Sequence, residues 1–258
     1  MTTILFTGPS LHGVDPALLE GFAVRPPAGC GDVLAAAMTG ADAIGLIDGV
    51  FDHAPSVWHK EILYALSEGI PVYGAASMGA LRGAECAAFG MIGIGRIFED
   101  YASGRRVADA DVGVAHAPAE FGYAPLSLAL VDVEATLEAI AEAGALPSTS
   151  CEALLAAARR IHFKERTWPD VVAQSGLADA ASVEAVLEHH AVSQKQADAL
   201  ALLARMRADA GKPFAKPNFT LSQSGFFAVL RQRVEDRLEE EEAEADEAEA
   251  DEAEADKA

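Results

Sequence analysis

Residues 71–95 read PVYGAASMGALRGAECAAFGMIGIG, and the reading of this stretch decides the fold. Pro71-Val72-Tyr73-Gly74 is a compact apolar run that reads as a strand. Small residues carry the chain through Ala75, Ala76 and Ser77 into 78–89, whose spacing reads as a helix. A strand turned straight into a helix is the repeating unit of a parallel sheet covered by helices on both faces.

The pattern repeats upstream. Residues 3–7 (TILFT) form a buried apolar run ended by Gly8-Pro9. Residues 22–25 form a short run stopped by Pro26-Pro27, and 43–47 (AIGLI) lead into Asp48-Gly49. Between them, 14–21 closes on Gly21, Asp32 is placed to cap a helix ending at Gly40, and 55–68 starts at Pro55 and stops before Gly69. From about residue 126 the texture changes. Segments 132–143, 150–162, 182–190, 193–210 and 224–238 are helical by spacing and by Ala, Leu and Glu content. The expected architecture is α/β: an N-terminal open parallel sheet flanked by helices (1–125), a mostly helical C-terminal half (126–238), and an acidic tail (239–258). That tail either continues the last helix or is a solvated, disordered coil.

The 258 residues are 51% hydrophobic, enough for a full core. The net charge of −21 is uneven: 239–258 holds twelve acids and one lysine. Only Ala serves there as apolar filler, so a solubilising role fits its composition, with an acidic docking arm as the other reading. The body is acidic too and has no basic blocks, which argues against nucleic acids and anionic membranes as partners. Three dispersed cysteines without a CxxC fit a reducing compartment. No run of about 18 uncharged apolar residues and no signal-peptide pattern appears, so the expected location is the cytoplasm.

Chemistry concentrates where strands end. Ser77, on a tight strand–turn–helix, reads three ways: a plain helix cap, part of an anion site, or a nucleophile lifted above the sheet edge. Gly74 and Gly79 flank that turn and would let a ligand approach the backbone. Arg82 can lean toward the same edge and clamp a carboxylate, or simply pair with Glu85 at i,i+3. Asp48 ends the third strand, at the edge where open α/β sheets bind ligands; it either orients a histidine or water, or serves its own turn. His59, in Trp58-His59-Lys60-Glu61, is the foremost general-base candidate, with Lys60 as a nearby cation. His12 follows the first strand, and His116 lies in a loop near Glu120. No HExxH, cysteine cluster, EF-hand loop or phosphate loop is present, so no metal or cofactor is expected. Gly90-Met91-Ile92-Gly93-Ile94-Gly95 follows a helix rather than a strand and is a weak nucleotide signal.

An ordered set of pieces resembles a known family. Gly8-Pro9-Ser10-Leu11, Arg25-Pro26-Pro27-Ala28, Ile44-Gly45-Leu46-Ile47-Asp48-Gly49, Pro55-Ser56-Val57-Trp58-His59-Lys60-Glu61-Ile62-Leu63 and Tyr73-Gly74-Ala75-Ala76-Ser77-Met78-Gly79-Ala80-Leu81-Arg82 occur in that order. Gly90 to Gly95 and Tyr101 follow. Over roughly 1–125 the chain resembles the TfuA-like proteins. The resemblance implies a partner of a YcaO-type enzyme in peptide-backbone thioamidation. It also implies a ThiS-like sulfur-carrier protein, whose C-terminal thiocarboxylate would yield the sulfide. On that reading the chain is a hydrolase of an acyl–sulfur bond. Ser77 or a water attacks, His59 takes a proton, Asp48 orients His59 or the water, and Arg82, Lys60, Glu85, Gly74 and Gly79 contact the carrier tail. A non-catalytic adaptor or allosteric activator, gripping the tail and the YcaO enzyme, is the alternative; a stand-alone esterase is a third reading. Two positions depart from the family pattern: Ala76, where many relatives are expected to carry a second serine, and Ala117 in the middle of a His-Gly-Pro-like element.

Overall fold

The computed structural model describes residues 2–52 and 54–255, with side chains to Ala245. Five strands, β1 (Thr3–Phe6), β2 (Ala23–Arg25), β3 (Ala43–Leu46), β4 (Val72–Ala75) and β5 (Ile92–Ile94), form one sheet. Among them run α1 (Asp32–Met38), α2 (His59–Ser67) and α3 (Met78–Cys86). After β5 come α4 (Arg96–Ala102), α5 (Leu130–Glu142), α6 (Ser148–Arg160), α7 (Trp168–Ser175), α8 (Ala180–His189), α9 (Gln194–Asp209) and α10 (Gly225–Ala255). The α/β sheet, its flanking helices and the helical C-terminal half are as expected. The acidic tail continues α10 as helix to Ala255; 256–258 lie outside the described residues.

The sheet is wholly parallel, in the order β2-β1-β3-β4-β5. From β1 the chain turns first to one side and then crosses to the other, so the connections leaving β1 and β3 diverge. A crevice therefore opens between the carboxyl ends of these two strands.

Strand alternation explains how the layers close. Ile4, Phe6, Ile44 and Leu46 face one side, where Val33, Ile62 and Leu66 of α1 and α2 cover them. Leu5, Ile47, Tyr73 and Ala75 face the other, and there the covering helix is α9, through Ala199, Leu202, Leu203 and Met206. Helix α10 adds Phe227, Leu230 and Val234 to Leu34 and Ala35 of α1. Helices α5 to α8 enclose a cluster of their own, which includes Val133, Ile140, Leu154, Ala157, Val171 and Leu187. Two helices of the C-terminal half thus complete the sheet layer.

Glu61 is fully buried, although acidic. Its carboxylate accepts the N–H groups of Gly31 (2.9 Å) and Leu34 (3.3 Å) at the start of α1 and of Trp58 (2.9 Å) at the start of α2. One side chain thereby caps two helices, each of which would otherwise leave orphan amides. Burial raises its pKa, and the three backbone N–H groups pull it back down. Helix α2 begins at His59, later than the pattern suggests, because Trp58 is extended and Ser56 bridges to Gly29. Among the described residues no helix is long and apolar enough to cross a membrane.

Candidate functional site

The crevice predicted by the strand order is present as a cleft of about 390 Å3, lined by Pro9, Asp48, Ser77, His116, Phe163 and Lys195 among others. Asp48, two residues beyond the end of the strand leading into it, is buried. Its carboxylate accepts Gly8 N–H (2.9 Å), Ser10 N–H (3.0 Å), the Ser10 hydroxyl (2.7 Å) and, more distantly, the Thr7 hydroxyl (3.5 Å). The turn after β1 is therefore held on the end of β3. Four donors from one turn leave this carboxylate a positioning group at the floor of the cleft.

Ser77 reaches the cleft through a strained turn. Ala76 has φ of +66°, a region that a non-glycine residue enters at a cost. Ser77 N–H closes the turn on Ala75 O at 2.7 Å. Ser77 stands at the N-cap of α3, yet its hydroxyl makes no capping bond; it lines the cleft instead. The turn is tight because Gly74 and Gly79 meet backbone to backbone. A Cβ on Gly79 would lie 1.8 Å from Leu46 O, and one on Gly74 2.2 Å from Gly79 O. The first amides of α3 are engaged within the fold: Gly79 N–H donates to Ile47 O (3.1 Å) and Ala80 N–H to Ser77 O (2.9 Å).

The imidazole that lines this cleft belongs to His116. Its Nδ1 is 2.8 Å from Ala117 O. A carbonyl can only accept, so Nδ1 carries the proton and the neutral ring keeps a lone pair on Nε2. The ring also packs edge-on against Tyr123.

His59 is brought together with a different set. Its Nε2 is 2.8 Å from Glu85, which also accepts from Arg82 Nη1 at 2.6 Å. Arg82 further donates to Val57 O (2.8 Å) and to the Ser56 hydroxyl (3.1 Å), while Lys60 Nζ donates to Ser222 O (2.6 Å). None of His59, Lys60, Arg82 or Glu85 lines the cleft that holds Asp48 and Ser77. The i,i+3 pairing of Arg82 with Glu85 is thus realised. His12 is exposed and bonds Gly122 O at 2.9 Å.

Lys195 carries no signal in the sequence. It sits on α9, far along the chain from the strands, and is 3% exposed. Its ammonium donates to Val112 O (2.9 Å) and lies 4.0 Å from Asp48 Oδ1. Lys164 pairs with Asp52 at the same cleft. Among the described residues, no group of three or more His, Cys, Asp or Glu side chains is placed to hold a metal ion.

These features define a class: an open, all-parallel α/β protein with a polar cleft at the topological crossover of its sheet, furnished with a hydroxyl, an imidazole and a buried Asp–Lys pair. Within the chain, residues 48–167 match the model of the family described as TfuA-like protein. The resemblance drawn from the sequence over roughly 1–125 is borne out from Asp48 onward, and the match runs beyond the sheet through α6 to Thr167, just before α7. No curated protein matches the chain.

Proposed function

We propose that the chain is the sulfide-delivery partner of a YcaO-type enzyme in peptide-backbone thioamidation, and that the crossover cleft receives the thiocarboxylate tail of a sulfur-carrier protein. The observation that carries this reading is the placing of Ser77 and His116 on one cleft, above the Asp48 floor. The family match over 48–167 supplies the biological setting.

The chemistry is acyl–sulfur hydrolysis. A water, or the Ser77 hydroxyl, adds to the thiocarboxylate carbon, and His116 Nε2 takes the proton that the nucleophile loses. The C–S bond breaks with its electron pair on sulfur, which leaves as hydrogen sulfide once protonated. With water as nucleophile the carrier is left as its carboxylate. With Ser77 an acyl-serine forms first as sulfide leaves, and one water then hydrolyses it, releasing the carboxylate and restoring the Ser77 hydroxyl. His59, Arg82 and Glu85 serve in this reading as a paired cluster outside the cleft, where the body of a partner protein can rest.

A second reading, a non-catalytic adaptor that grips the tail or activates the YcaO enzyme, is favoured by one observation: the Asp48 carboxylate is engaged by donors of the fold itself. Incubation with thiocarboxylated carrier, with sulfide assayed over time, separates the two. Sulfide above the carrier-alone rate supports hydrolysis. A background rate together with retained binding of carrier and YcaO enzyme leaves the adaptor.

A further inference from the structure

Behind the first cleft lies a second of about 370 Å3, lined by residues that include Ser10, Ser127, Asp132, Trp168 and Gln196. The two clefts share Pro9, Val114 and Lys195. Lys195 is therefore the one charged side chain common to both, at the point where they meet. An ammonium has three N–H donors. One goes to Val112 O at 2.9 Å. Asp48 Oδ1, at 4.0 Å, is beyond hydrogen-bond distance. That carboxylate is already served by Gly8 and Ser10, so Asp48 does not need the lysine to satisfy its oxygens. A buried cation whose donors are only partly used is costly unless something completes its shell.

We infer that Lys195 is the anion-receiving group of this edge: it takes the terminal carboxylate or thiocarboxylate of an extended peptide that runs across the two joined clefts. The inference rests on the tail-binding reading above and names the group that recognises the tail. It also supplies what the start of α3 does not, because the Gly79 and Ala80 amides are spent inside the fold. When the thiocarboxylate carbon is attacked, negative charge builds on its oxygen, and a fixed ammonium in a confined site offsets it. Asp48 and Asp132, whose carboxylate accepts the Lys195 backbone N–H at 3.0 Å, offset the ammonium while the site is empty, so an arriving anion meets one cation and two competing carboxylates.

The test uses the full chain and a glycine-terminated pentapeptide, prepared as the free carboxylate and as the C-terminal amide, with binding measured by calorimetry. The wild type is expected to hold the acid at least 10-fold more tightly than the amide. Lys195→Met is expected to abolish that preference without weakening the amide, and Lys195→Arg to keep part of it. Asp48→Asn, which removes one competing charge, is expected to tighten the acid several-fold; a Lys195 that serves only to neutralise Asp48 would give no such gain. If the wild type prefers the acid and folded Lys195→Met prefers it equally, the role assigned to Lys195 is overturned while the tail-binding reading stands. If the wild type shows no preference for the acid, both fall.

Discussion

Asp198, on α9, holds its carboxylate in the space that a side chain on Gly95 would occupy: a Cβ built there would lie 2.3 Å from Asp198 Cγ. Asp198 accepts Ile97 N–H at 2.8 Å and Gln194 Nε2–H at 2.7 Å, so it caps α4 from a helix about a hundred residues further on. Gly95 also has φ of +92°. Gly95→Ala is expected to cost roughly 3 kcal/mol or more, since strain and a displaced buried carboxylate add. Gly104→Ala, at a similar φ of +75° with open space around it, should cost only about 1 kcal/mol. Denaturant midpoints of the two variants check this; equal losses would refute the steric account.

The two imidazoles make a second comparison. His116→Ala and Ser77→Ala are expected to lower sulfide release from a thiocarboxylated carrier by about 100-fold or more, the usual worth of a positioned base or nucleophile. His59→Ala, which loses a partner of Glu85 outside the cleft, should stay within about threefold. The reverse ranking in folded variants would move the chemistry to the His59–Arg82–Glu85 cluster.

How far these assignments were legible in the sequence varied by element. Four strands and most helices were, because apolar runs bounded by Gly and Pro and helical periodicity are local signals. Strand β5 was not: Ile92–Ile94 is short, has Gly93 at its centre and Gly95 after it, and it is a strand only because β4 offers it a parallel edge. Asp48 and Ser77 were legible as cleft residues because the ends of parallel strands must share an edge. Lys195 was illegible, since only the packing of α9 across the sheet brings it to Asp48. The choice between His59 and His116 was equally hidden: spacing tells which residues share an element, and nothing about which loop folds over the edge.

Glu61 makes stability depend on pH with a defined sign. In the unfolded chain its carboxyl titrates near about 4.3; in the folded protein burial raises it above that value. The folded state therefore holds the proton more tightly. The contribution of Glu61 is fully present below the unfolded value and is lost as pH rises through the folded one. The stability gap between the wild type and Glu61→Gln should accordingly be more favourable to the wild type at pH 4 than at pH 8. Urea midpoints at the two pH values measure it, and a gap that widens toward pH 8 contradicts the sign.

The thiols should be sluggish. Burial, with Glu61 nearby, pushes Cys30 up to about 11, and burial, with Glu85 nearby, pushes Cys86 up to about 11. The thiolate is the reactive form. At pH 8 a disulfide-exchange reagent should label both far more slowly than in urea. Fast labelling of either in the native protein would contradict the burial described for it.

The strand layer is complete by Ile94, yet the helix that shields Leu5, Ile47 and Tyr73 starts at Gln194. A ribosome making this chain emits a finished set of strands with one greasy side bare, and must add about a hundred more residues before the cover arrives. The same helix that covers this face also carries Lys195 to Asp48, so sealing of the sheet and completion of the cleft depend on one late-made element.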